Sequence, residues 1–190
     1  IKDPLKKNKI KEYDFTIDLP DSDIFKVNEL DELRIFLDRK SRRNYDKQNL
    51  NTNELSVMLF LTQKIKDNKQ KRPVPSAGAR YPIDTYIAVN RVEDIEAGIY
   101  KYSPDDHKLN LIYKDETIMK KTAEACFSMR FKQQKFIEKA AVMFFWVTVP
   151  YRSEWRYDIL APKLILLEAG HICQNLYLVA EHLGVGACAV

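Results

Sequence analysis

The chain has 190 residues, of which 45% are hydrophobic and 11% aromatic, so it is long enough to bury a substantial core as one domain. Its 31 Lys and Arg residues outnumber its 27 Asp and Glu residues by only four, a balance too mild to indicate a nucleic-acid-binding protein. Three widely spaced cysteines predict neither a zinc site nor a disulfide framework, and they favour a reducing, cytoplasmic compartment.

Residues 1–27 contain prolines and alternating charge without a sustained period, which predicts an N-terminal arm without regular structure. The lysine-rich start lacks the apolar core of a signal peptide. The chain opens on Ile1 rather than on Met, so we expect further residues to precede it. The remaining residues, 28–190, are expected to form a single domain.

Two helices are predicted in the first third of that domain. Asn28 precedes leucines that recur at helical spacing, which indicates a helix ending near Arg39. Asn51 stands three residues before Glu54, the spacing of a capping box, and an amphipathic pattern follows. Residues 66–82 then contain three prolines and predict a loop with a fixed course.

Strand-like segments follow at residues 83–92, 98–103 and 107–114, each rich in β-branched or aromatic residues, and they predict an antiparallel unit. Helical patterns cover residues 116–139, and a long helix is expected to end at Gly184. The apolar stretch at 140–150 is about half of the roughly 20 residues that a membrane-spanning helix needs, so it predicts a buried strand and no membrane protein. This order of elements fits an α+β domain better than an alternating parallel sheet.

Five glycines are present, and none forms GxGxxG or a GxxxxGK phosphate loop, which argues against a Rossmann or P-loop site. The basic run Arg39-Lys40-Ser41-Arg42-Arg43 offers cations and a hydroxyl group that could converge on a phosphate. A solvated charged turn is the competing interpretation of this run.

The segment Pro75–Pro82 reads PSAGARYP, which combines rigid prolines with small residues. Small residues let the backbone approach a flat ligand, while amides and the Ser76 hydroxyl group donate hydrogen bonds. A tight turn that fills a gap explains the pattern equally well. The last block reads GHICQNLYL and runs on into small residues after Gly184, which could place backbone amides against a cofactor. His171 in this block is interpreted as a packed histidine with no catalytic role.

Together the blocks RKSRR, PSAGARYP and QNLYLVAEHLGVG resemble the nitroreductase superfamily. Within it, the sequences of the loop and of EAGHICQNLYL are most similar to the SagB-type dehydrogenases. The resemblance implies an α+β fold with a central, mostly antiparallel sheet flanked by helices. It also implies flavin mononucleotide (FMN) as cofactor and a homodimer with active sites at the subunit interface. Such relatives act beside a cyclodehydratase, which is therefore an expected partner.

Carried over by position, Arg39, Ser41 and Arg43 match the flavin-binding basic motif of the family, and Lys40 contributes mainly through its backbone. At the segment of Ala189 and Val190, the contacts that the family makes with the isoalloxazine continue past the last residue, so we expect the C-terminal end of the domain to be missing. The residues matched to the loop beside the flavin ring are Pro75, Ser76, Ala77 and Gly78. The residues matched to the segment against the isoalloxazine are Ala189 and Val190.

Trp155-Arg156-Tyr157 resembles the Lys-Tyr pair to which azoline dehydrogenases assign catalysis, with arginine at the lysine position. Arginine is a poor base because its pKa exceeds about 12, so Tyr157 helped by Arg156 is the candidate base. Alternatively, the two side chains simply cover the end of the long helix.

The resemblance implies oxidation of thiazoline or oxazoline rings in a modified peptide to azoles. Two alternatives remain: NAD(P)H-dependent reduction of small nitro or quinone compounds, and a non-catalytic flavin-binding scaffold in a peptide-maturation complex. Binding of nucleic acid by RKSRR is the least favoured interpretation.

Overall fold

The computed structural model describes residues 31–66, 71–126 and 134–190. The predicted arm at 1–27 and the proposed cap at Asn28 lie outside these residues. The chain divides into two compact units, residues 1–34 and 35–190. Only the start of the first helix belongs to the described part of the smaller unit.

Two helices open the described chain, α1 at Asp31–Asp38 and α2 at Thr52–Gln63. The predicted capping box of α2 is confirmed. The Asn51 side chain accepts a hydrogen bond from the Asn53 amide at 2.7 Å, and the Asn51 amide donates to the Glu54 carboxylate at 2.8 Å. Two otherwise unpaired groups at the helix start are thereby satisfied.

Four antiparallel strands form one sheet. They are β1 at Ile83–Val89, β2 at Gly98–Ser103, β3 at Lys108–Lys114 and β4 at Val142–Thr148. Their order in the sheet is β3-β2-β1-β4. In the central strand β1, Tyr86 pairs with Lys101 of β2 on one side and with Phe145 of β4 on the other. The predicted antiparallel unit is confirmed.

Strand β4 differs from its prediction as a buried strand, because its residues are half-buried or exposed and Val147 keeps 48% of its surface accessible. The reason is its place in the sheet. An edge strand has a neighbour on one side only, so an apolar run does not by itself ensure burial.

Three further helices complete the described fold: α3 at Ile118–Ala125, α4 at Tyr151–Tyr157 and α5 at Ala161–His182. Helix α3 covers only part of the helical pattern predicted for 116–139, and residues 134–139 form a 3₁₀ helix. The long helix ends as predicted, with Gly184 in the left-handed region at φ +71°. Helix α4 was not predicted.

The helices lie on both faces of the sheet. Helices α2 and α5 pack with strands β1 and β2 into the largest apolar cluster, and α3 packs against the other face. The predicted α+β class is therefore confirmed. Among the described residues, no helix is long and apolar enough to cross a bilayer.

Candidate functional site

The basic segment after α1, residues 39–43, lies beside the tail that follows α5, residues 183–190. The Arg42 amide donates to the Ala187 carbonyl at 2.9 Å. The Arg42 guanidinium forms a two-pronged ion pair with the Glu181 carboxylate of α5, in which Nη2 lies 2.7 Å from Oε1 and Nη1 contacts Oε2. Hydrogen bonding to Arg42 holds the pKa of Glu181 below its usual range. Arg42 is thus engaged with an internal carboxylate.

Tyr177 of α5 joins this basic segment to the tail. Its hydroxyl oxygen lies 3.0 Å from Ser41 Oγ and accepts a hydrogen bond from the Ala189 amide at 2.6 Å. The Arg39 guanidinium lies 5.5 Å from the centre of the Tyr177 ring, within range of a cation–π interaction. Two of the blocks quoted from the sequence therefore meet at one side chain, which the sequence analysis had not singled out.

The other two predicted residues of the basic motif point elsewhere. Lys40 is exposed, and its backbone interacts with the Glu181 carboxylate and lowers the pKa of that group. The Arg43 side chain is also exposed. Exposed cations of this kind can meet an anionic ligand from solvent.

A groove of about 1040 Å³ opens between β4, α5 and the tail. Apolar side chains such as Phe144 and Trp146 form its walls, and Tyr45 and Tyr177 place phenol groups in it. Burial raises the pKa of Tyr45 to about 12, so this phenol stays protonated at neutral pH. The groove is as large as typical cofactor sites, roughly 300 to 1,000 Å³, and its apolar walls suit a flat ring.

Two predicted cofactor residues, Ala189 and Val190, line this groove. Neither the PSAGARYP loop nor any residue of α4 is among its lining residues in the described chain. The predicted site residues therefore form two groups within one chain. The first group comprises the basic segment and the tail, and the second comprises the PSAGARYP loop and the end of α4.

The second group is built on the loop, whose residues Ala77–Ala79 form one 3₁₀ turn. The Ser76 hydroxyl oxygen accepts from the Tyr81 amide at 2.9 Å, and the Ser76 carbonyl accepts from the Ala79 amide at 3.0 Å. Gly78, Ala79 and Tyr81 have φ of +56°, +53° and +44°. Left-handed backbone is unfavourable for residues other than glycine, and such strain concentrates at functional sites.

This loop contacts the end of α4. A Cβ atom on Gly78 would lie 2.5 Å from the Tyr157 hydroxyl oxygen and 3.3 Å from Arg156 Nε. Arg80 reinforces the contact, because its Nε donates to the Gly78 carbonyl at 2.9 Å and its guanidinium lies 5.2 Å from the Trp155 ring centre. The structure thus brings together the loop matched to the flavin ring and the pair matched to catalysis.

A buried carboxyl group lies under the loop. Glu168 of α5 is 2% exposed, and its Oε1 has no hydrogen-bond partner among the described residues. Burial raises its pKa, against the opposing effects of Ser76, Arg72 and His171. The Ser76 hydroxyl group therefore faces inward to Glu168 as well as to the loop. Glu168 is not among the site residues predicted from the sequence.

The remaining candidate groups carry no clear chemistry. His171 is exposed, so its interpretation as a packed histidine is wrong. Cys126, Cys173 and Cys188 are free and half-buried. In the ranges that the structure describes, no group of three or more His, Cys, Asp or Glu residues could hold a metal ion.

Comparison with known proteins places most of the chain in one family. The model of the nitroreductase family matches residues 37–190. A protein of Methanocaldococcus jannaschii that is named as a nitroreductase is 33% identical over 174 residues, which are 92% of this chain and 82% of that protein. The trifolitoxin-processing protein TfxB of Rhizobium leguminosarum bv. trifolii is 32% identical over 118 residues, or 60% of this chain and 31% of that protein.

Solved structures show the same fold. A crystal structure described as a nitroreductase from Ralstonia eutropha JMP134 superposes with a TM-score of 0.64 at 24% identity, covering 92% of this chain and 71% of that one. A chain of the Escherichia coli microcin synthetase McbBCD complex, with truncated pro-MccB17 bound, gives a TM-score of 0.66 at 20% identity, covering 95% and 65%. At these identities the similarity concerns the fold alone.

Proposed function

This chain belongs to the nitroreductase family of generally flavin-dependent oxidoreductases, and we propose that it uses FMN to oxidise thiazoline or oxazoline rings in a modified peptide to azoles. The observation that carries the proposal is the contact between Gly78 and Tyr157. The loop matched to the flavin ring and the residue matched to the catalytic tyrosine come from different parts of the sequence, yet they touch. A role of Arg156 and Tyr157 in merely covering a helix end does not explain why the strained loop packs on them.

The residues of this chain fit FMN in two respects. Ser41 and Arg39, held at Tyr177, supply a donor and a positive charge suited to a phosphate. The apolar groove, whose lining includes Ala189 and Val190, suits the ring system. In the second group of site residues, the loop residues Pro75, Ser76, Ala77 and Gly78 would border the flavin ring. Lys40 and Arg43 of the basic segment would be further cations near the phosphate.

When bound, FMN would act as the hydride acceptor. An azoline loses a hydride and a proton on becoming an azole, so the protein has to provide a base. We assign this role to Tyr157. The Arg156 guanidinium lies 5.7 Å from the centre of the Tyr157 ring, so a positive charge stands beside the group that would take the proton. Arginine side chains are poor bases, so Arg156 is not assigned this role.

A peptide substrate is supported by two of the similar proteins. TfxB is named for the processing of trifolitoxin, and the McbBCD structure contains a truncated peptide precursor. For the same reason we propose a cyclodehydratase as a partner.

We also propose that the protein is a homodimer whose sites are completed by the second copy. The two groups of site residues do not share a groove within one chain. Large apolar side chains remain exposed at the turn before α5 and on α5 itself, with Ile159 at 87% and Leu166 at 73%. Exposed apolar patches of this kind mark protein contacts.

The name of the Methanocaldococcus jannaschii protein favours a second candidate function, NAD(P)H-dependent reduction of nitro or quinone compounds.

Purified protein should be yellow and should release FMN on denaturation. Mixed anaerobically with an azoline peptide, it should lose its visible flavin absorption as the azole forms. Loss of absorption with NADPH but with no azoline peptide would favour the second candidate. Colourless protein that does not quench added FMN fluorescence would contradict both.

A further inference from the structure

The Tyr177 hydroxyl group links the tail to the basic segment by two hydrogen bonds. The Ala189 amide donates to it at 2.6 Å, and Ser41 Oγ lies 3.0 Å away. These groups are far apart in the sequence but form one continuous chain of polar atoms.

The direction of the hydrogen bonds in this chain follows from chemistry. A backbone amide can only donate, so Ala189 uses one lone pair of the Tyr177 oxygen. Between the two hydroxyl groups, the phenol is the stronger acid and hence the better donor. The geometry allows either hydroxyl group to be the donor, and on this acidity difference we assign the Tyr177 hydroxyl group as the donor and Ser41 Oγ as the acceptor.

This direction determines what Ser41 can offer a ligand. Its oxygen is engaged as an acceptor, so its own proton is left to donate outward, where the side chain is exposed. Donors in such a chain are polarised by the bonds behind them. Arg39, whose guanidinium lies 5.5 Å from the centre of the Tyr177 ring, brings a positive charge to the same place.

We infer that Tyr177 is a positioning residue that makes Ser41 a dedicated donor to the phosphate of FMN and couples the tail at Ala189 to phosphate binding. This inference rests on the proposed function, because it takes FMN as the ligand. The competing role is mechanical: Tyr177 fastens the tail and contributes to the shape of the groove. Loss of a mechanical contact would weaken binding of the ring and of the phosphate alike.

Riboflavin separates the two roles, because it has the ring system of FMN without the phosphate. The variants Tyr177→Phe, Ser41→Ala and their combination are prepared in the full chain. Their dissociation constants for FMN and riboflavin are measured by quenching of flavin fluorescence. Tyr113→Phe, on the exposed strand β3, serves as the control for loss of a tyrosine hydroxyl group.

Tyr177→Phe should raise the FMN dissociation constant about tenfold, the loss expected for one hydrogen bond to a charged group. Riboflavin binding should change by less than about twofold, because riboflavin has no phosphate group to accept a hydrogen bond from Ser41. The combined variant should bind FMN no more weakly than Ser41→Ala alone, since Tyr177 acts through Ser41.

An equal loss for both flavins would overturn the inference, as would a further loss on adding Tyr177→Phe to Ser41→Ala. Unchanged FMN binding by Tyr177→Phe would remove the inference and leave the proposed function standing. A parent protein that binds neither flavin would remove the proposed function, and this inference with it.

Discussion

A Cβ atom on Gly78 would lie 2.5 Å from the hydroxyl oxygen of Tyr157, so the loop and helix α4 meet with no room for a side chain at this point. Gly78 also has φ +56°, which disfavours any other residue. Both the close approach and the backbone conformation therefore require glycine. The contact can be tested through stability as well as through chemistry.

Gly78→Ala should lower the free energy of unfolding by about 2 kcal/mol, because the new methyl group clashes and the backbone is strained. Removing the Tyr157 hydroxyl group takes away the nearest atom, so Gly78→Ala with Tyr157→Phe should recover part of that loss. Urea denaturation measures both effects. Gly170→Ala is the matched control: it lies inside α5 with open space around it, and it should stabilise the chain by about 0.5 to 1 kcal/mol. No recovery in the double variant would mean that the two residues do not meet as described.

Tyr157→Phe should bind FMN as the parent does and should oxidise an azoline peptide at least about 100-fold more slowly, the range lost with a general base. The substitution keeps the ring that packs and removes the hydroxyl group that would take the proton. Single-turnover bleaching of the flavin under anaerobic conditions measures the rate. Tyr151→Phe removes a hydroxyl group from an exposed ring on the same helix and should leave the rate unchanged. A parent-like rate in Tyr157→Phe would refute the assignment.

Glu181→Gln should destabilise the protein by about 1 kcal/mol near pH 7, because it breaks the ion pair with Arg42. The pKa of Glu181 is lowered in the folded state, chiefly by hydrogen bonding to Arg42. The carboxylate therefore stabilises the fold above its unfolded pKa of roughly 4.3. This contribution is lost as the pH falls through the lower, folded value. The stability gap between variant and parent, measured by urea denaturation, should close in acid; a constant gap would contradict the ion-pair explanation.

Glu168→Gln should behave in the opposite way. Burial raises the pKa of Glu168, so the folded state disfavours its charged form, and ionisation destabilises the fold above the unfolded pKa of roughly 4.3. The neutral variant should be more stable than the parent by about 1 kcal/mol at neutral pH. That advantage should shrink as the pH falls and the parent carboxyl group becomes protonated. A variant less stable than the parent at pH 7 would show that the charge on Glu168 is needed by Arg72 or Ser76.

Local signals in the sequence predicted much of the fold. The capping box of α2 depends on Asn51 and Glu54, which are three positions apart, and such short-range chemistry is visible in a sequence. The three strands after the loop likewise follow from β-branched and aromatic residues between turns.

Helix α4 was missed for a physical reason. It has only seven residues, and of these Ser153 alone is buried, so no apolar period marks it. The half-exposed state of β4 was missed because burial depends on the order of strands in the sheet, which its own residues do not encode.

The candidate site shows the same division. Resemblance to a family named the loop and the basic motif, but it did not name Tyr177 or Glu168. Ser41 and Tyr177 are 136 positions apart, and only the folded chain brings them within hydrogen-bond distance. The burial of Glu168 likewise depends on packing between segments that are distant in the sequence, since Ser76 of the loop lies beside it.

The position of β4 at the edge of the sheet has a practical consequence for handling the protein. An edge strand has backbone donors and acceptors along its outer side, and here they belong to an apolar sequence, VMFFWVT. Such a strand can template the addition of strands from other molecules, which is a route to aggregation during heating or storage. Val147 lies on this strand with its side chain about half exposed, so a lysine there would act as a gatekeeper. Val147→Lys should therefore raise the solubility of the isolated chain, which is measured as the fraction that stays in solution on heating.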